Sequence, residues 1–525
     1  MSERDKRLTL VACILASIVV FLDGSVVNVA LPAIREDLNA GLATQQWVVE
    51  AYLLTLGALI LAGGSYADIR GRKHSLTLGV ALFAATSLAC AVAPNAELLI
   101  AARALQGVAG ALLVPASLAV ITASFEGAER GAAIGSWTAW TGIAFVIGPL
   151  AGGTIVDAIS WRGVFAINIP IAAVTLVIAA RGVHESKDPD AAGSVDIPAA
   201  LLSIVWLGGA VFALIEQSDH GWGDPLVFVP LLAAAVALPA FLWREAHCPH
   251  PMLPLGLFKV RNFSVVNAAT LTIYGGLGAL TFFLVIYLQQ VAGYSAIDAG
   301  LALVPVTVVM FLLSKRFGAL AAKIGPRMPM TVGPLLGGAG LFMLRYVDAQ
   351  PAYWTEVLPW LLLFALGLSM TVAPLTVTVL SSVSEHHAGV ASGVNNATAR
   401  IAGLLAIAVV GAVVSSAFAN SLGDELPPPA LDEARTQPLV TRVPDSVPRG
   451  QRAEAKAQLT SASVDAFQAG ATLAALLVAA GGVISGFGVV NARPREVEPL
   501  SARSGPQIGD DEPAERVVGV DAARS

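Results

Sequence analysis

Charge is what this chain has least of. Only 13% of its 525 residues are Asp, Glu, Lys or Arg, against about 25% in a soluble globular protein. The shortfall runs along almost the whole length, and the mean hydropathy is +0.72. An ordinary soluble enzyme or binding module is excluded, and a polytopic membrane protein remains, because about 20 apolar residues suffice for one spanning helix. Cysteine is scarce too: Cys13, Cys90 and Cys248 are scattered and two lie in apolar runs, so no disulfide framework is implied. No basic patch exceeds short loop clusters, which argues against nucleic acid as a partner. A Walker loop, a strand-borne glycine fingerprint, a nucleophile elbow and a metalloprotease motif are all missing, so neither enzyme chemistry nor a cofactor is indicated. His247-Cys248-Pro249-His250 has metal-binding residue types, but a proline-broken loop frames ligands poorly and no metal is expected there. The first apolar run contains Asp23 and is followed by no small-residue cleavage site, so it reads as an uncleaved first span.

What is present is a succession of apolar windows separated by charged or turn-forming loops. They fall at 8–30, 45–67, 75–93, 97–123, 131–156, 163–181, 197–216, 225–243, 263–290, 297–314, 328–346, 357–383, 390–418 and 464–490, which predicts fourteen spans. With the N-terminus inside, the short inner loops hold sixteen Lys and Arg, among them Arg70, Arg72, Lys73 and Arg130. The short outer loops hold three: Arg35, Arg162 and Arg345. That is the positive-inside asymmetry, with both ends cytoplasmic in a plasma or inner membrane. The outer loop 419–463, with Pro427-Pro428-Pro429, reads as soluble with a short helix near Gln451–Thr460. The polar tail 492–525 reads as disordered and cytoplasmic.

Two weak internal matches relate the halves. Gly64–Lys73 is echoed by Gly318–Arg327, and Gly131–Ile143 by Gly389–Ile401, at offsets of 254 and 258 residues. Such repeats mark two parallel six-helix halves about an axis along the membrane normal. The expected fold is therefore an all-α membrane protein: one six-helix half over 1–181, two inserted spans and a linker over 182–262, and a second six-helix half over 263–491.

Several stretches carry a family resemblance. Gly64-Ser65-Tyr66-Ala67-Asp68-Ile69-Arg70-Gly71-Arg72-Lys73 resembles the loop signature between spans 2 and 3 of the major facilitator superfamily. Leu22-Asp23 through Ala30-Leu31-Pro32, Arg103-Ala104-Leu105-Gln106-Gly107 through Pro115, and Gly142 through Gly148-Pro149-Leu150-Ala151-Gly152-Gly153 resemble motifs of its fourteen-span drug/proton antiporter branch. Trp161-Arg162 with Phe165, Asn168 and Pro170, and Tyr287-Leu288-Gln289 with Gly293, also fit. Glu50 departs from the threonine expected in span 2. The resemblance covers roughly residues 8–418 and implies alternating-access transport of a small molecule, driven by protons.

The residues carry a physical reading beside it. An acid inside a membrane helix marks an ion, proton or substrate path more often than an idle group. Counting inward from the outer ends at about 1.5 Å per residue puts Asp23, Glu50 and Arg103 in one layer roughly 9–10 Å deep. They are the expected proton-coupling cluster, in which Arg103 compensates one carboxylate and the other is left to exchange protons. The bland alternative is a static pair that neutralises Arg103. Gly148, Pro149, Gly152 and Gly153 suit a bendable, closely packed seam in span 5, or ordinary small-residue packing. Gly64, Asp68, Gly71, Arg72 and Arg130, with Glu129, are the expected inner latch, or merely charges that anchor topology. Asn28, Trp140, Phe145, Tyr274, Gln289, Asn395 and Arg400 are the candidate substrate contacts, though aromatics in a bundle are mostly core. Arg400, roughly 15 Å into span 13, reads either as a cavity residue or as a packing arginine bonded to carbonyls.

The leading expectation is a monomeric, proton-driven antiporter in the lipid bilayer that exports small apolar or cationic compounds, as in multidrug efflux. A dedicated metabolite exporter, proton-coupled uptake on the same scaffold, and a non-transporting membrane receptor stay open.

Overall fold

The computed structural model describes residues 2–188, 194–249, 251–383, 388–423 and 426–491. The tail expected to be disordered lies outside them. Every long element is a helix: α1 (Glu3–Leu38), α2 (Leu42–Arg70), α3 (Arg72–Ala91), α4 (Ala96–Ser124), α5 (Gly127–Ala158), α6 (Gly163–Gly182), α7 (Ile197–His220) and α8 (Pro225–His247), then α9 (Arg261–Gln290), α10 (Ala296–Ile324), α11 (Arg327–Met343), α12 (Leu358–Ser381), α13 (Ala388–Leu422) and α14 (Arg452–Gly488). Among the described residues, twelve helices are long and apolar enough to cross a membrane. The other two, α5 and α11, cover the fifth and eleventh predicted windows, and α11 has 17 residues.

Local chemistry sets the ends. Ser2, Asn95, Asp196, Asp224 and Ser295 each cap a helix by accepting a backbone N–H of its first turn, which satisfies a donor the helix cannot. Gly71 separates α2 from α3 at φ +128°, a conformation that L side chains rarely adopt. The helices overrun the predicted windows. α10 continues to Ile324, so Lys315, Arg316 and Lys323 lie on a helix and not in a loop. The short helix expected near Gln451–Thr460 is the start of α14. Backbone hydrogen bonding does not stop where apolar side chains do, so hydropathy marks the buried length and not the helix length.

The packing repeats. In the first half α1 packs on α5 and α6, α2 on α4, and α3 on α4 and α6. In the second half α9 packs on α13 and α14, α10 on α12, and α11 on α12 and α14. Each pair recurs eight helices later. The halves meet through α5 on α10, α2 on α13 and α1 on α9. The inserted α7 lies against both α2 and α13, while α8 packs chiefly on α7. Trp47 Nε1 donates to Glu216 Oε1 at 2.9 Å, tying α7 to the first half.

One end of the bundle carries residues 3 and 488. Bonds described at this terminus-bearing end join helices of the same half, such as Lys6 to Glu129 and Arg261 to the Gly488 carbonyl. At the far end the halves are fastened to each other. Gln289 Nε2 donates to the Val29 carbonyl (3.0 Å), Gln46 Nε2 to the Ile407 carbonyl (3.1 Å), and the Ile297 N–H to Asp157 Oδ2 (3.0 Å).

The loop 419–463, expected as an outer segment, packs on the bundle. It forms a short helix at Pro428–Arg435, and Leu426, Leu431, Leu439 and Val447 join the main apolar core. Its Gln437 accepts from Arg35 Nη1 (3.4 Å) and its Thr441 donates to the Gln290 carbonyl (3.2 Å), so it straps α1 to α9.

Candidate functional site

The site is a polar cluster in the first half, built where α1, α3, α4 and α6 converge. Asp23 is fully buried. Its Oδ2 accepts from Arg103 Nη1 at 2.5 Å, and its Oδ1 from Gln106 Nε2 at 3.0 Å and Asn168 Nδ2 at 2.9 Å. Arg103 is 1% exposed. It also donates to Gln106 Oε1 (2.7 Å) and, through Nε, to the Val48 carbonyl (2.9 Å), and its guanidinium lies 4.3 Å from the Tyr52 ring centre. Ser87 Oγ closes the network, accepting from Gln106 Nε2 (2.9 Å) and Asn168 Nδ2 (3.3 Å). Each member has a reason to be there. Gln106 stands one turn beyond Arg103 on α4, so both reach the same point on α1. Gly107 lets α4 close on α2, since a Cβ there would meet Tyr52 and Thr55.

Charged partners this deep are held by geometry, because a buried ion pair needs its remaining bonds satisfied. Here they are: the carboxylate accepts three bonds. Asn168 Oδ1 is the one buried atom of the network without a partner.

Glu50 does not belong to this cluster, contrary to the expected three-residue layer. Residues 48, 52 and 55 of α2 face Arg103 and α4, and Glu50 projects from the opposite side of the helix, 200° from Val48 at roughly 100° per residue. Both its carboxylate oxygens are buried and without a hydrogen-bond partner. Equal depth did not mean equal facing.

The span 5 residues split by partner. An added Cβ at Gly148 would collide with Ser25, and at Gly152 with Val26, so these two fit α5 to α1. Gly153 faces Ile297, and the Pro149 carbonyl faces Gly300, both on α10 of the other half. The far-end seam therefore uses Pro149 and Gly153.

The expected inner latch takes another form. Asp68 pairs with Arg72 at 2.8 Å, but both belong to the α2–α3 corner and the pair bridges no halves. Glu129 pairs with Lys6 (2.7 Å), and Arg130 Nε donates to the Phe125 carbonyl (2.9 Å). Glu185, after α6, accepts from the N–H groups of Lys73 and His74 at 3.0 Å, and a Cβ at Gly71 would strike its carboxylate. Gly63 abuts the Ala111 carbonyl, while a Cβ at Gly64 would meet Pro115 at an ordinary 3.5 Å, so the tight α2–α4 contact falls one residue before the loop motif.

Among the candidate substrate contacts, Arg400 lies with its guanidinium 5.0 Å from the Phe21 ring of α1, across the seam between halves. Phe21, Gly24 and Asn28 share a face of α1 by helical spacing; a Cβ on Gly24 would meet nothing within 4 Å, and Asn28 Oδ1 is without a partner. Trp140 is about half exposed on α5, and Tyr274 is half-buried on α9. The Phe145 side chain lies outside the described residues. Asn395 is occupied otherwise, donating to Asn267 Oδ1 (3.2 Å) and Thr270 Oγ1 (2.8 Å) of α9. Gln289 serves the far-end seam described above. Of the residues weighed for a metal, Cys248 Sγ donates to Asp196 Oδ2 at 3.4 Å and His247 stacks on Trp243; His250 lies outside the described residues. Phe21, Ser87, Gln106 and Asn168 are site residues that were not singled out. Gln106 and Asn168 were visible as polar residues within recurring motifs, whereas Ser87 carries no sequence signal.

Two like halves of spanning helices, fastened at one end and holding a buried ion pair, define a polytopic membrane protein of the two-half transporter architecture. Residues 13–407 match the family described as Major Facilitator Superfamily, and the chain belongs to it. It is 33% identical over 445 residues to the multidrug resistance protein Stp of Mycobacterium tuberculosis, covering 85% of this chain and 82% of that one. It is 36% identical over 432 residues to the puromycin resistance protein pur8 of Streptomyces alboniger (80% and 84% covered), and 35% identical over 414 residues to the cephamycin export protein CmcT of Amycolatopsis lactamdurans (78% and 85%). The fold is shared with solved structures, among them a bacterial homolog of the human lysosomal transporter Spinster (TM-score 0.63, 16% identity, 92% and 98% covered). The xylose transporter XylE of E. coli gives a TM-score of 0.56 at 15% identity, with 94% and 99% covered. The protein is a membrane transporter of this superfamily.

Proposed function

We propose that the protein is a proton-coupled antiporter that exports small apolar or cationic compounds by alternating access, with fourteen spans and both described ends in the cytoplasm. The terminus-bearing end is then the cytoplasmic one, and α5 and α11 are the two remaining spans. The observation that carries the reading is Asp23: a fully buried carboxylate held by Arg103, Gln106 and Asn168. Such an acid inside a membrane bundle has a functional explanation by default. When Asp23 takes a proton, its oxygens no longer balance Arg103 and the network must rearrange. When it releases the proton, the three donors pull the helices together again. Proton binding and helix packing are thereby coupled in one cluster.

Export is favoured by the relatives, whose names record multidrug resistance, puromycin resistance and cephamycin export. One carboxylate suffices energetically. A membrane potential of about 150 mV is worth about 3.5 kcal/mol per charge, or a few hundred-fold gradient. The substrate would meet the α1 face of Phe21, Gly24 and Asn28, with Trp140 of α5 and Arg400 of α13 as further contacts.

The test is Asp23→Asn in proteoliposomes. Substrate-induced proton flux is expected to fall at least tenfold, while labelled-substrate exchange down its own gradient persists. Intact proton flux would remove Asp23 from the coupling role, and uptake driven by an inward pH gradient would reverse the direction assigned here.

A further inference from the structure

Glu50 is a buried acid that the mechanism above leaves unused. It is fully buried, and neither carboxylate oxygen has a partner. It lies on the face of α2 that closes on the second half. One turn before it, Gln46 donates to the Ile407 carbonyl of α13. Two turns after it, a Cβ at Gly57 would rest on Ile401 (3.7 Å) and the Arg400 Cβ (3.9 Å) of the same helix. Positions 46, 50 and 57 form one stripe by helical spacing, so Glu50 sits within the α2–α13 seam, toward its far end.

The charged and titratable groups on the surrounding elements are engaged elsewhere. Arg103 of α4 and Asp23 of α1 bind each other behind the helix, and the Tyr52 hydroxyl donates to the Val20 carbonyl. Glu216 of α7 accepts from Trp47. Arg400 of α13 lies over Phe21. The polar residues that α9 brings to this end, Gln289 and Gln290, are neutral.

We propose that Glu50 is a second proton-binding site, separate from Asp23, whose protonated form is what allows the far-end seam to close. The inference rests on the alternating-access reading above. An ionised carboxylate without a cation or donor is strongly disfavoured in an apolar seam, and a neutral acid much less so. When the halves part at the far end, the same carboxyl meets water and ionises. The step is one proton passing from hydronium in the far-side water to the carboxylate: an O–H bond forms on Glu50 as one breaks in hydronium, and water is left. A state that accepts only the neutral form is favoured by protons through linkage. Because the proton enters and leaves on the same side, Glu50 gates and does not couple. Acidity outside the cell shuts the outer door whether or not substrate is present.

Spin labels at Ile159→Cys and Trp354→Cys would read the seam, in a background where Cys248 is serine. These positions stand at the far end, one in each half, and are 78% and 77% exposed. The protein in lipid nanodiscs, without substrate, is taken from pH 8 to pH 5. The short-distance population is expected to rise relative to the long one, by about tenfold per pH unit at most, the limit for one proton. Glu50→Gln is expected to favour the short distance at pH 8 as much as at pH 5, with no pH step. An unfolding temperature in detergent equal to the parent's shows the variant folded; its substrate-induced proton flux is expected to fall, because the seam opens less often. Asp23→Asn is expected to keep the pH response while losing that flux. A pH response that survives in Glu50→Gln, or none in the parent, overturns the proposal. Loss of coupling at Asp23 is read separately by flux.

Discussion

Three donors converge on Asp23 because α4 presents Arg103 and Gln106 one turn apart and α6 presents Asn168 at the same height. Removing one charge of such a pair costs about 3–5 kcal/mol, since the other is left buried and uncompensated. Arg103→Met is therefore expected to lower the thermal unfolding temperature in detergent markedly. Combining it with Asp23→Asn should recover most of the loss, and a double variant as unstable as the single one would show that Arg103 acts through its packing on Tyr52 instead. Much of this site was legible beforehand. Asp23 and Arg103 stand out because charge is rare in the chain, and their depths follow from counting residues. Facing was not legible in the same way. The 200° between Val48 and Glu50 could have been computed, but which side of α2 meets α4 is decided by packing, and depth alone grouped Glu50 with the wrong partners.

At the scale of elements, small residues set how closely helices approach. Gly63 touches the backbone of α4, whereas Gly64 leaves room for a methyl group against Pro115. Gly63→Ala is expected to reduce folded yield and thermal stability by 1–3 kcal/mol, about the usual cost of overpacking, with Gly64→Ala nearly neutral. Equal effects of the two, measured by the same unfolding assay, would place the tight contact at the loop motif after all. The order of the helices was readable from hydropathy, and among the described residues twelve of the fourteen predicted windows hold a helix long and apolar enough to cross a membrane, because transfer into lipid is a local, additive property of about 20 residues. Element ends were less so, since α10 and α14 extend well past their apolar windows. Asp68 and Arg72, both assigned to the expected latch, pair with each other within the α2–α3 corner.

Across the whole molecule the halves are joined at the far end by Gln289 with Val29, Gln46 with Ile407, and the strap 419–463. If the halves must part there during each cycle, fastening the strap should arrest transport. A short thiol-reactive cross-linker between Arg35→Cys and Gln437→Cys is expected to abolish export, and cleaving the linker to restore it; full activity in the cross-linked protein would mean the strap travels with α1. By itself the sequence determined a membrane protein of two related halves, its motifs and the rarity of its charges within apolar runs, because composition and periodicity report transfer into lipid residue by residue. Only the tertiary structure decided that Asp23 has Gln106 and Asn168 as well as Arg103, that Glu50 stands alone in the seam, and that α7 lies across both halves. Those outcomes depend on how each helix is rotated against its neighbours, which packing between distant segments settles and local hydropathy does not encode.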